Sequence, residues 1–160
     1  MIKKIFLPAL FIFVLNLGYA QINVNENWAL KPFVKVDSIN PILQPKEETK
    51  FLCPVRGSEV SWEGKDVFNP AALVKDGKVY LLYRAEDFVG KYSGTSRVGL
   101  AVSNDGLHFE RLPKPIFYPD NDEMKELEWE GGCEDPRIVE DENGVYFLTY
   151  SSYDGNKARL

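Results

Sequence analysis

The stretch Gly131-Gly132-Cys133-Glu134-Asp135-Pro136-Arg137 sets a thiol, two adjacent carboxylates and an arginine within a few residues of one another. Two adjacent carboxylates, set beside a proline and followed by an arginine, are oddly polar for the entrance to a β-strand. Two readings compete. Either Asp135 faces a pocket, or it accepts a turn hydrogen bond while Arg137 neutralises Glu134. The same polar-Pro step occurs 66 residues earlier, as Asn69-Pro70. Arg84 follows the aromatic run Val79-Tyr80-Leu81-Leu82-Tyr83, where a buried charge is costly unless it is paired or faces a ligand. Glu86 and Asp87 are the structural partners within reach.

The elements that must position these residues read as strands. Ala71 to Tyr83 forms a hairpin about Asp76-Gly77, Val98 to Arg111 a second about Asp105-Gly106, and Ile138 to Tyr150 a third about Asn143-Gly144. Strands are expected near 71–75, 79–85, 97–102 and 107–111, and Asp120 to Glu130 offers at most a turn or two of helix. The segment Asn69 to Tyr83 aligns without a gap on Asp135 to Thr149, with Pro, Val and Tyr recurring in place. A four-stranded unit repeated at this interval predicts propeller blades. Residues 69–134 form one blade and 135–160 begin the next. Each innermost strand then starts beside the central axis, where polar groups converge. A chain stopping at Leu160, partway through a unit, is expected to be an N-terminal fragment of an incomplete propeller.

The string Trp129-Glu130-Gly131-Gly132-Cys133-Glu134-Asp135-Pro136-Arg137-Ile138-Val139 resembles the signature of glycoside hydrolase family 130. Asn40-Pro41-Ile42-Leu43, Val67-Phe68-Asn69-Pro70 through Arg84-Ala85-Glu86, and Ser96-Arg97-Val98-Gly99 through His108-Phe109 fit it in order. The resemblance implies an all-β fold, the N-terminal blades of a five-bladed β-propeller, and cleavage of β-mannosides with inversion by phosphorolysis or hydrolysis. It also implies roles. Asp135 looks like the family's general acid, acting in the phosphorylases through the mannose 3-hydroxyl. Asn69, Arg84 and Arg97 match sugar-binding positions. The phosphate-binding arginines and histidine of the phosphorylases, and the base glutamates of the hydrolases, would lie beyond residue 160. This chain alone is therefore expected to be inactive. No cofactor or metal is expected, with inorganic phosphate a co-substrate only for a phosphorylase. Two alternatives stand beside this reading. One is another five-bladed glycosidase, arabinanase-like or fructosidase-like, which would lack the Gly-Gly-Cys-Glu-Asp-Pro-Arg context. The other is a non-catalytic carbohydrate-binding relic that keeps the sugar contacts without a base.

Composition sets the remaining bounds. The 160 residues are 44% hydrophobic and 13% aromatic with a net charge of −5, a globular profile that argues against nucleic acid or anionic membranes as partners. The start Met1-Ile2-Lys3-Lys4, the apolar run Ile5 to Leu15 and the ending Gly18-Tyr19-Ala20 predict a signal over 1–20, cut after Ala20, giving a periplasmic or secreted product. The apolar run is too short to span a membrane, so no span is expected after cleavage. Residues 21–50 read as an extended lead-in with Pro32, Pro41 and Pro45, and 51–160 as the two blades. Cys53 and Cys133 either pair or remain small buried thiols. Tyr80, Tyr83, Tyr146 and Tyr150 read as strand packing, His108 as turn support, and the acidic run Asp120 to Glu130 as solvated. Trp62 and Trp129 fall in loops where either could stack on a pyranose.

Overall fold

The computed structural model describes residues 34–160. The signal segment 1–20 and the first part of the lead-in lie outside the described residues. The regular secondary structure of the compact unit Val36–Leu160 is almost wholly strand. Residues 36–49 run through turns and bends before the first of them.

β1 (Lys50–Cys53) and β2 (Ser58–Ser61) form a small antiparallel hairpin of their own. β3 (Asp66–Lys75), β4 (Lys78–Glu86), β5 (Ser96–Ser103) and β6 (Glu110–Arg111) follow as an antiparallel meander. A single helical turn, α1 (Lys125–Glu128), precedes β7 (Gly132–Glu140), β8 (Tyr146–Tyr153) and β9 (Ala158–Arg159), a second antiparallel set. The β3–β4 turn places Asp76 and Gly77 at φ 49° and 73°, the paired left-handed conformation that matches strand twist in a two-residue hairpin. Among the described residues, no helix is long and apolar enough to cross a membrane.

The two sets meet at one parallel register pair, Ser96 opposite Gly132. Gly132 has φ 113°, and a Cβ there would lie 2.2 Å from the Ser96 carbonyl oxygen. Only glycine lets these backbones approach so closely.

Alternation along β4 and β5 divides the core in two. Tyr83, Ala85 and Ala101 face one way, packing with Phe51, Cys53, Val60 and Trp62 from the β1–β2 side. Leu82 and Val98 face the other way, packing with Ala71 and Cys133. Arg84 and Glu86 share the parity of Leu82, and Ser96 that of Val98, so all three project toward β7. Arg97 has the opposite parity.

One expectation is corrected, one element is added and one open alternative is resolved. The strand expected over 107–111 is only Glu110–Arg111, because the Asp105 carboxylate takes the Leu107 and His108 amides at 2.8 Å each. The β1–β2 hairpin lay unrecognised beside the lead-in. Cys53 and Cys133 are both free thiols, buried in separate core clusters, so the pairing alternative is not realised.

Candidate functional site

The repeat brings its own equivalent residues together. Asn69 and Asp135 have φ 45° and 46°, and each sits in a register shift, between Phe68 and Ala71 in one hairpin and between Glu134 and Arg137 in the other. Asn and Asp tolerate this left-handed conformation better than other non-glycine residues. The bulges turn both side chains to a common point, where Asn69 Nδ2 donates to Asp135 Oδ1 at 2.8 Å.

Arg84 completes the cluster. Its Nη1 donates to the same Asp135 Oδ1 at 3.1 Å, its Nη2 to Glu86 Oε1 at 2.6 Å and to Glu134 Oε1 at 2.8 Å, and its Nε to Ser96 Oγ at 3.0 Å. The guanidinium lies 4.6 Å from the centre of the Phe68 ring. Glu86 is held in turn by Ser96 Oγ at 3.1 Å and Lys65 Nζ at 2.8 Å. The structural and ligand-facing readings of Arg84 therefore coexist. It is paired with Glu86, and it is also aimed at Asp135. Asp87 plays no part in that pairing.

Electrostatics separate the two adjacent carboxylates. Burial pushes Glu134 up, against the pull of Arg84, and the neighbouring Asp135 and Glu86 charges push the same way, so Glu134 lies above the usual carboxylate range. Burial acts on Asp135 too, but hydrogen bonds from Asn69 and Arg84 and the charges of Arg84 and Arg137 outweigh it. Asp135 thus lies below its ordinary value. Both hydrogen bonds land on Oδ1, and the Asp135 side chain retains 36% exposure. One oxygen is fixed while the other is left to a ligand or a proton.

Other sequence candidates fall elsewhere. Arg97 is fully buried on the opposite face, its Nη1 donating to Asp87 Oδ2 at 2.8 Å and its Nη2 3.6 Å from Cys53 Sγ. That pair supports the loop between β4 and β5, because Asp87 Oδ1 also accepts the Val89, Gly90 and Thr95 amides. Arg137 donates to the Pro136 carbonyl oxygen rather than pairing Glu134. Trp62 is fully buried against Tyr83, and Trp129 lies beneath the Arg56 guanidinium, which also pairs with Glu130. Glu128, within the acidic run, is buried and accepts from Tyr150 Oη at 2.6 Å. Ser96 was missed by sequence reasoning. A serine at a strand start carries no local signal, and its role arises only from its register opposite Glu86.

Residues 38–160 match the family model described as β-1,4-mannooligosaccharide phosphorylase. The chain belongs to this family, glycoside hydrolase family 130. It is 40% identical over 121 residues to a 1,2-β-oligomannan phosphorylase of Thermoanaerobacter sp. (strain X514), covering 72% of this chain and 34% of that protein. A β-1,2-mannobiose phosphorylase of the same organism is 37% identical over 113 residues, covering 65% of this chain and 35% of that protein. The solved structure of a glycosyl hydrolase from Bacteroides ovatus superposes with a TM-score of 0.78 at 48% identity, covering 83% of this chain and 38% of that one. Another solved structure, from work on family members that are glycoside hydrolases targeting β-1,2 mannosidic linkages in Candida mannan, gives 0.79 at 50% identity and covers 86% and 39%. The chain thus spans about a third of the length of the curated relatives it matches.

Proposed function

We propose that this chain supplies the acid-bearing part of an enzyme that cleaves β-mannosides with inversion, built as a five-bladed propeller of which these are the first two blades. The observation that carries the reading is the hub at Asp135, with one carboxylate oxygen fixed by Asn69 and Arg84 and the other without a hydrogen bond among the described residues. Inverting cleavage needs a carboxylic acid to protonate the departing oxygen, directly or through a sugar hydroxyl. The hydrogen bonds from Asn69 and Arg84 favour the ionised form of Asp135. A pyranose seated over it would compete for the Asn69 and Arg84 donors and exclude water. Both changes raise the carboxyl toward the protonated form that the role requires. Asn69 and Arg84 then serve as sugar ligands, while Arg97 supports the site from the opposite face.

The named relatives act on β-1,2-linked mannose, which supports a β-mannoside oligosaccharide as the substrate class. Export through a signal cut after Ala20 favours hydrolysis over phosphorolysis, because a sugar phosphate released outside the cytoplasm loses its metabolic value. Mass spectrometry of the exported protein is expected to find a mature N-terminus at Gln21; a soluble product retaining Met1 contradicts export. The functional test is turnover of β-1,2-mannobiose by the chain extended to the length of its relatives, with and without inorganic phosphate. Phosphate-independent release of mannose as the α-anomer is expected. Activity only on arabinan- or fructan-type substrates, or mannoside binding without turnover by the extended protein, overturns the reading.

A further inference from the structure

Arg84 is gripped from several sides, and the grips differ in stiffness. Glu86 and Glu134 reach its Nη2 at 2.6 and 2.8 Å through long side chains that can follow the guanidinium if it turns. The Phe68 ring, centred 4.6 Å away, offers no hydrogen bond to set its direction. Ser96 is the short, stiff contact. It is fully buried, its amide donates to the Gly131 carbonyl oxygen at 2.8 Å, and it stands in parallel register with Gly132. Its hydroxyl therefore rides on a backbone already tied to the segment that leads into Asp135.

Three hydrogen bonds close a ring through this hydroxyl. Arg84 Nε donates to Ser96 Oγ at 3.0 Å, Ser96 Oγ donates to Glu86 Oε1 at 3.1 Å, and Arg84 Nη2 donates to the same Oε1 at 2.6 Å. A guanidinium only donates and an ionised carboxylate only accepts, so the hydroxyl is the member of the ring that does both. The guanidinium is planar and rigid. Holding Nε–H and Nη2 together sets where Nη1 points, and Nη1 is the atom that meets Asp135.

We propose that Ser96 is a positioning residue, whose hydroxyl sets the direction of the Arg84 guanidinium and so keeps Nη1 on Asp135. Its effect on turnover rests on the reading of Arg84 as a sugar ligand beside the acid. Ser96 belongs to the first strand set, yet its amide is tied to the start of the second. The residue that joins the two repeat units thus aligns the arginine of one with the carboxylate of the other. Solvent cannot replace the hydroxyl. Ser96→Ala removes one oxygen from a site without exposure, leaving less room than the ~30 Å³ that a water occupies. Nε–H is then left without its acceptor, and Glu86 Oε1 loses one of its two donors.

The test reads the arginine itself, by NMR of this chain carrying 15N-labelled arginine and backbone amides. Exchange of the Arg84 Nε–H with solvent is expected to be about tenfold or more faster in Ser96→Ala than in the parent. Exchange of the residue 96 amide, which reports the seam to Gly131, is expected to stay within about twofold of the parent, since its acceptor is untouched. Unchanged exchange of Nε–H overturns the proposal. So does parallel acceleration of both signals, which would mean that the serine only supports the seam. In the chain extended to the length of its relatives, Ser96→Ala is expected to lower kcat/KM on β-1,2-mannobiose about tenfold or more, and parental turnover in that variant overturns the proposal. An extended parent inert on mannosides would instead contradict the functional reading, while the exchange measurement, which needs no mannoside, still decides the role of Ser96.

Discussion

At the scale of single residues, Asn69 and Asp135 share one backbone geometry and divide two tasks between them. The polar-Pro pairs were legible in the sequence because the repeat aligned them, and their adjacency followed from the blade reading. The left-handed φ was not legible, since it exists only where each hairpin slips register. Replacing Asn69 separates backbone from side chain. Asn69→Gly keeps the conformation and loses the hydrogen bond to Asp135, whereas Asn69→Val also forces a β-branched residue to φ 45°. Asn69→Val is expected to destabilise the fold by about 1–3 kcal/mol and Asn69→Gly by clearly less, read from urea midpoints. Equal costs would mean the bulge imposes no conformational demand. Arg97 shows the complementary limit. Its residue type suited a sugar contact, but its parity on β5 sends it to the buried face, and parity relative to Arg84 depends on pairing that no local motif encodes.

At the scale of elements, the meander and the β7–β8 hairpin were readable from alternation and from turns such as Asp76-Gly77. The ends of strands were less so. Leu107 to Phe109 have strand-like residue types, but the Asp105 carboxylate captures the amides that a ladder would need. The junction between the two sets depends on Gly132. Gly132→Ala places a methyl 2.2 Å from the Ser96 carbonyl oxygen at φ 113°. It is expected to part β7 from β5, seen as faster exchange of the Ser96 amide, which bonds the Gly131 carbonyl at 2.8 Å, and as loss of the Asp135 to Arg84 contact. Unchanged protection there would show that the close approach is dispensable.

Beneath the same junction, Glu128 links α1 to β8 through Tyr150. Burial raises Glu128 above its ordinary value despite that hydrogen bond. A carboxyl raised in the folded state favours folding while protonated, and that contribution is lost as pH climbs through its folded pKa. The parent should therefore lose stability relative to Glu128→Gln as pH rises from about 4 toward 7. Parallel urea midpoints across that range would contradict the assignment.

At the scale of the whole molecule, the described unit places its chemistry where two repeat units meet, and it leaves apolar surface on the far side of the second. Val139 and Phe147, directly opposed on β7 and β8, are 63% and 55% exposed. Both were assigned to strands from sequence, but which face each presents depends on what packs beside the hairpin. The family membership of residues 38–160 supplies the larger frame in which the Asp135 hub has meaning. The proposed function requires Asp135 to be a proton donor. The most direct measurement compares Asp135→Asn with the parent, in the chain extended to the length of its relatives, on β-1,2-mannobiose and on a nitrophenyl β-mannoside whose leaving group departs with little protonation. Turnover of the disaccharide is expected to fall by about 10²–10⁴, with most of that loss recovered on the nitrophenyl substrate and mannoside affinity retained. Equal losses on both substrates, or weakened binding with turnover intact, would make Asp135 a sugar-holding or structural residue and contradict the account.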